Sequence, residues 1–323
     1  MDQIPTQEVH LKKLNLEDAP LLPKGCCMVD SLLIIYEPND KEGFLSVYKD
    51  TMLLGRYGTL GDGPDDFFNP RFVSNGAFIS GSREIRLADI NALYTLNVDS
   101  ALIASIGKSR LPQTIFPEDV RYFNYVLRDT DSLLLVQRTS DFQLTFYDKI
   151  SGQVSGKNYF DRISSLDGAP DICYVAQVYD AYYTSNGQNI VIAYKNRKLI
   201  DILSLSGDLQ RRIYFPGYDS NDSKMALKYQ NLEMSESALL FFTFAAYAGN
   251  SYYFLCWEAT RADIRVGKAR SKIYKMDMSG NVEAILQLDK CVSYFCLDES
   301  RLYAIGLSEG EDLQVYCADL HSM

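Results

Sequence analysis

The sequence predicts an all-β chain: a six-bladed β-propeller of four-stranded antiparallel blades, its ring closed by an N-terminal strand that completes the last blade. Three observations predict it. The run "DSLLIIY" (Asp30–Tyr36) returns almost unchanged as "DSLLLVQ" (Asp131–Gln137). Tight polar turns fall near residues 50, 99, 151, 206 and 279, a spacing of about 50 residues that matches a blade of four short strands. The chain then ends part-way through a sixth copy, "LQVYCADLHSM" (Leu313–Met323).

Each copy is an alternating run, a polar turn and a second alternating run. Examples are "FLSVYKDTMLLGRYG" (Phe44–Gly58), "ALYTLNVDSALIASIG" (Ala92–Gly107) and "QLTFYDKISGQVSG" (Gln143–Gly156). "LIDILSLSGDLQRRI" (Leu199–Ile213) and "KIYKMDMSGNVEAIL" (Lys272–Leu286) continue the series. Alternation with period two is the strand signal, and Asp-Ser, Asp-Thr and Ser-Gly supply the turns. The apolar run before each pair also recurs, as "GQNIVIAY" (Gly187–Tyr194), "NSYYFLCW" (Asn250–Trp257) and "ESRLYAIG" (Glu299–Gly306). The repeated Asp-Ser therefore marks the turn between a blade's first and second strands. The apolar run after it is expected to pack between neighbouring blades.

The blades are expected at 25–58, 71–107, 120–160, 172–215, 238–288 and 290–320. Residues 1–323 then form a single propeller domain. The sixth blade lacks its outermost strand, and the alternating "QEVHLKKL" (Gln7–Leu14) is expected to supply it. Such a strand pairs two otherwise open sheet edges. Two stacked sandwich domains would demand a linker-like change of composition, and none is present.

The first junction, "GTLGDGPDDFFNP" (Gly58–Pro70), resembles the connector of NHL-type propellers, G-x-x-G-x-G-x-x-x-F-x-x-P, through Gly58, Gly61, Gly63, Phe67 and Pro70. A degenerate echo, "GKSRLPQTIFPEDV" (Gly107–Val120), follows the second blade. With six blades, the chain resembles the bacterial TolB-like propellers. That resemblance implies export, to the periplasm or the outer membrane, with a leader removed. The N-terminus "MDQIPTQEVHLKK" shows no signal-peptide run, so without a removed leader the expected compartment is the cytoplasm.

A net charge of −10 repels phosphate backbones, so nucleic acid is not an expected partner. No run of 18 apolar residues is present, so no transmembrane helix is expected. The seven cysteines have no CxxC spacing and mostly lie in apolar runs, so they read as buried thiols. The two histidines, His10 and His321, lie near the termini. This argues against His-dependent catalysis and zinc chemistry. The carboxylates of "GDGPDDF" (Asp62, Asp65, Asp66) and "GYDSNDS" (Asp219, Asp222) lack calcium-loop spacing and read as turn chemistry. No metal or cofactor is expected.

The longest irregular segments are Gly58–Pro70, Gly107–Val120, Phe160–Ile172, Phe215–Ala238 and Glu258–Arg270. Blade topology sends outer-to-inner and second-to-third connections to one face, at one mouth of the central channel. Long loops on a rigid scaffold are where binding is placed. The candidate binding residues there are Asp65, Asp66, Arg71, Asp119, Arg121, Tyr179, Tyr182, Tyr247, Trp257, Arg261 and Arg265. "WEATRADIRVGKARSK" (Trp257–Lys272) opposes the overall charge and suits an anionic group or an acidic partner. The expected function is non-enzymatic binding of a protein, peptide or glycan by a monomer. The alternative is a hydrolase or lyase using carboxylate, Tyr and Arg groups on a glycan or similar substrate.

Overall fold

The computed structural model describes residues 4–73, 83–99, 107–137, 140–162, 167–174, 178–216, 239–266, 268–298, 300–307 and 313–320. Six sheets form the blades of a six-bladed β-propeller. After β1 (Thr6–Val9) and β2 (Lys12–Lys13), the first sheet comprises β3 (Gly25–Val29), β4 (Leu32–Tyr36), β5 (Leu45–Lys49) and β6 (Met52–Tyr57). The second comprises β7 (Pro70–Phe72), β8 (Glu84–Asp89), β9 (Ala92–Asn97) and β10 (Gln113–Ile115). The third holds β11 (Phe123–Asp129), β12 (Ser132–Gln137), β13 (Leu144–Asp148) and β14 (Val154–Lys157). The fourth holds β15 (Ala181–Ser185), β16 (Asn189–Tyr194), β17 (Leu199–Ser204) and β18 (Leu209–Tyr214). The fifth is built from β19 (Leu239–Ala248), β20 (Ser251–Thr260), β21 (Lys272–Met276) and β22 (Val282–Leu288). The sixth is built from β23 (Val292–Leu297), β24 (Arg301–Leu307) and β25 (Leu313–Asp319), with β2.

By packing, the chain divides into two compact units. One is Met1–Val9 with Val126–Cys291, and the other is His10–Tyr125 with Val292–Met323. The first contains β12–β22 and β1; the second contains β2–β10 and β23–β25.

Asp30-Ser31 joins β3 to β4, with Asp30 at φ +52°, a left-handed conformation that Asp tolerates. The run after it is apolar on both faces because both are covered. Leu32 and Ile34 enter a core with Leu87 and Tyr94, while Leu33 and Ile35 enter another with Tyr303 and Ile305. Each such side chain contributes about 1.5–3 kcal/mol by leaving water. In the other unit, Val191 and Ala193 pack with Phe242, Phe254 and Tyr274.

Two expectations are amended. The N-terminal segment is divided between sheets. Lys12 and Lys13 pair antiparallel with Cys317 and Tyr316, and Leu14 N–H donates to Val315 O at 2.8 Å, completing the sixth sheet. Thr6–Val9 instead pairs parallel with Ile285–Leu288 as a fifth strand of the preceding sheet. The same alternation serves both partners, since Val9 and Leu11 are buried while Lys12 and Lys13 are exposed. In the second sheet, Gln113–Ile115 pairs with Ala92–Tyr94, beyond the expected extent. The run expected to provide that sheet's fourth strand, 101–106, lies outside the described residues.

Candidate functional site: a basic loop end on the fourth and fifth blades

The turn Lys195-Asn196-Arg197-Lys198 joins β16 to β17 without glycine or proline. Unusually for such a sequence, Asn196 and Arg197 are buried, at 4% and 3% exposure. The backbone around it explains why. Lys195 N–H donates to Asp180 O, Phe241 N–H to Lys195 O and Phe215 N–H to Lys198 O, all at 2.8–2.9 Å. The turn is thereby stitched to the entry of its own sheet and to that of the next. Lys195 Nζ pairs with Asp180 at 2.8 Å, and the Arg197 guanidinium lies 5.0 Å from the centre of the Tyr179 ring, a cation–π contact.

Lys198 reaches the fifth sheet. Its Nζ lies 3.0 Å from Glu258 Oε1, and Lys272 Nζ lies 2.8 Å from Oε2. Burial opposes ionisation of Glu258, but the two ammonium groups outweigh it and hold its carboxyl below the usual range. Glu258 also sits at φ +46°, where the strand breaks from its register toward the helical turn Arg261–Arg265. Thr260 caps that turn: Asp263 N–H donates to Thr260 Oγ1 at 3.1 Å, and Thr260 Oγ1 donates to Asp263 Oδ2 at 2.6 Å. Trp257 and Ile264 pack on Ala259, Ala269 and Cys291, seating the excursion on the sheet.

The electrostatic result is local reversal of the molecule's sign. Residues 258–272 carry five basic and two acidic side chains, beside a turn with three basic ones. Three nearby carboxylates are committed: Asp180 to Lys195, Glu258 to two lysines, and Asp263 to its cap. Arg261 and Arg270 take part in no ion pair among the described residues, and Lys268 and Arg270 are exposed.

Beneath this end lies a paired polar network. Asp201, fully buried, accepts from Arg212 Nε at 2.7 Å and from Tyr194 Oη at 2.8 Å. Arg212 Nη1 also meets Asp161 at 3.1 Å, and Tyr179 Oη donates to Asp161 O at 3.1 Å. Burial, then Asp201, pushes the Tyr194 phenol well up. These groups hold the third and fourth sheets' loops in place.

The expected site residues separate on this structure. Tyr179 is buried beneath Arg197, and Trp257, Arg261 and Arg265 share the β20 excursion. Tyr182 packs against the core of the fourth and fifth sheets. Tyr247 does not join them. It stands beside the β19–β20 turn and donates to Asn250 Oδ1 at 3.2 Å, whereas Trp257 is near the other end of that hairpin. Tyr247 pairs with Tyr252, five strand residues from Trp257, about 17 Å.

In the other unit, Asp65 and Asp66 fold the connector itself. Ser109 Oγ donates to Asp65 at 2.5 Å, while Thr59 Oγ1 and Gly63 N–H donate to Asp66. A Cβ at Gly107 would fall 2.3 Å from the Asp65 carboxylate, so that approach requires glycine. Phe67 is fully buried, edge-on to Phe44 and Tyr94 at 5.1 and 5.4 Å. Buried Asp89 receives Asn69 N–H at 2.7 Å and pairs with Lys108. Arg71 donates to Asn124 Oδ1 at 2.6 Å, and Asp119 and Arg121 are exposed. Asp219, Asp222 and His321 lie outside the described residues. Among the described residues no group of three or more His, Cys, Asp or Glu side chains is arranged to hold a metal.

The sequence reading missed the Lys195–Lys198 turn. A charged tetrapeptide between two apolar runs reads as a solvated hairpin, and its burial is imposed by neighbouring sheets. The available signal was the absence of any turn residue other than Asn196.

Fold and loop geometry define a six-bladed β-propeller with a basic loop end on an acidic chain. No family model matches the sequence, and no curated protein matches it. A member of the DUF4221 family from Bacteroides vulgatus superposes with a TM-score of 0.57 at 12% identity, over 97% of this chain and 98% of that one. Regucalcin from Agrobacterium tumefaciens, a calcium-binding protein, gives 0.49 at 13%, over 98% and 97%. A protein of unknown function from Bacteroides caccae gives 0.47 at 12%, over 85% of each. At 12% identity the likeness to the DUF4221 member is one of fold alone. Among the described residues no helix is long and apolar enough to cross a membrane.

Proposed function

We propose that this propeller is a non-enzymatic binding protein that takes an acidic protein, peptide or glycan on the loop end of its fourth and fifth blades. The observation that carries the reading is the commitment of Asp180, Glu258 and Asp263 to local partners, which leaves Arg261, Lys268 and Arg270 as the net charge offered outward. Arginine offers bidentate hydrogen bonds to carboxylate, phosphate or sulfate. Trp257 adds an amphipathic face beside them. The rigid sheet below, tied by the Asp201–Arg212 pair, limits the ordering cost of binding. A hydrolase or lyase would need carboxylates converging on an open site, whereas Asp201 and Glu258 are each held by cations.

The connector Gly58–Pro70 supports a further part of the reading: a TolB-like propeller that works in the periplasm or on the outer membrane. Fractionation of the native cell checks the compartment.

The test of binding is co-purification from native cells, with wild type compared against an Arg261→Ala, Lys268→Ala, Arg270→Ala variant. We expect captured acidic partners to fall at least tenfold, and wild-type capture to weaken steeply between 50 and 300 mM salt, as screened surface charges must. Unchanged capture by the variant would remove this surface from consideration.

A further inference from the structure

Cysteine chemistry supplies an inference independent of the loop end. β3 and β23 are the first strands of the first and sixth sheets, and they lie against each other within one compact unit. Cys26 on β3 and Cys296 on β23 enter the same core, with Met28, Tyr303 and Ile305. Both side chains are buried in that core, on neighbouring first strands. The neighbouring thiol, Cys27, faces the other way, into the core between the first and second sheets, because successive strand residues alternate faces. Cys317 borders the Cys26–Cys296 core from β25, but β24 lies between β25 and β23 in that sheet, with Tyr303 paired to both Cys296 and Cys317. The pairing is thus specified by geometry among several thiols rather than by abundance.

We propose that Cys26 and Cys296 are a latent disulfide site that, in an oxidising compartment, staples the first strand of the first blade to that of the last. The oxidant is a small-molecule or protein disulfide. The Cys26 thiolate attacks one of its sulfurs, and the departing thiolate takes up a proton. The Cys296 sulfur then attacks Cys26 of the mixed disulfide and displaces the second thiolate, which takes up the second proton. Two protein thiols are oxidised and one disulfide is reduced to two thiols. The product requires the sulfurs to close to about 2.05 Å. Burial pushes the Cys296 thiol up and both cysteines are 3% exposed or less. Oxidation is therefore slow in the folded protein and fast during folding, before the core closes.

The test uses the whole chain and oxidised glutathione. The protein is incubated natively, and in parallel refolded from denaturant, in glutathione buffers of graded ratio. It is then quenched by alkylation in denaturant, its thiols are counted, and its non-reduced peptides are mapped. We expect the refolded sample to fall from seven free thiols to five, with a single cross-linked peptide pair joining Cys26 to Cys296. Cys27→Ser should lose two thiols as the wild type does, whereas Cys26→Ser should lose none. The wild-type peptide map stands even where a serine variant folds poorly. Retention of seven thiols in both arms, or linkage of any other pair, would overturn the proposal.

Discussion

Among the described residues, Ile90 is the β-branched one that sits at positive φ. It joins β8 to β9 at φ +54°, a conformation that β-branched side chains occupy only under constraint. Its carbonyl receives Tyr122 N–H at 2.8 Å, which fixes the peptide there. Ile90→Asn should relieve the strain and stabilise the protein by about 1 kcal/mol, read as a higher chemical-denaturation midpoint with unchanged m-value. Asp201 is the opposite case. Its carboxylate is fully buried and bound by Arg212 and Tyr194, so Asp201→Asn leaves Arg212 short of its partner. The expected cost is about 3 kcal/mol, measurable in the same unfolding experiment. Neither position announces itself in the sequence. Ile90, set between Asp89 and Asn91, reads by its side chain as a strand residue, and Asp201 as the outward-facing member of an alternating strand. Burial on both faces of a blade cancels that second inference.

Among the elements, the Asp-Ser turns and the apolar runs after them were legible, because a turn's chemistry and a run's apolarity are local properties. Choice of partner is not local. The alternation of residues 6–13 suits a strand on either of two sheets, and the chain uses it on both. Tyr247 was misplaced for a related reason: side-chain type says nothing about which end of a hairpin of two ten-residue strands a residue occupies until register is known. The basic excursion after β20 was legible as a charge reversal, whereas its companion turn at 195–198 was not, since its burial comes from the next sheet. For the N-terminal segment, Leu11→Asp places a charge at a position that is 5% exposed. It should destabilise by about 3 kcal/mol, and proteolysis should then cut first between Leu14 and Gly25.

On the scale of the molecule, pH acts from two sides. Hydrogen bonds from Ser109 hold Asp65 below the usual carboxylate range, those from Ser151 do so for Asp148, and Ser206 with Lys157 does so for Asp208. With folded values depressed, the unfolded chain binds more protons as pH drops. This stabilisation is complete above about pH 5 and is lost as pH falls through and below 4. At the other end, burial pushes Tyr36, Tyr48 and Tyr159 up to about 12. The unfolded chain then releases protons first, so stability is full below about pH 10 and declines from there through 12. Thermal midpoints across pH 2.5–11.5 should trace a plateau with both shoulders; a flat acid limb would remove the carboxylate contribution.

The pairing of Lys12–Lys13 with Tyr316–Cys317 also orders events during synthesis. Translation delivers Lys12–Lys13 about 300 residues before their partners Tyr316–Cys317. Until then the edge strand of the sixth sheet has no partner to pair with, and the nascent chain waits with that segment unclaimed. A stop codon anywhere before Leu313 would leave it waiting permanently, however well the earlier sheets had formed.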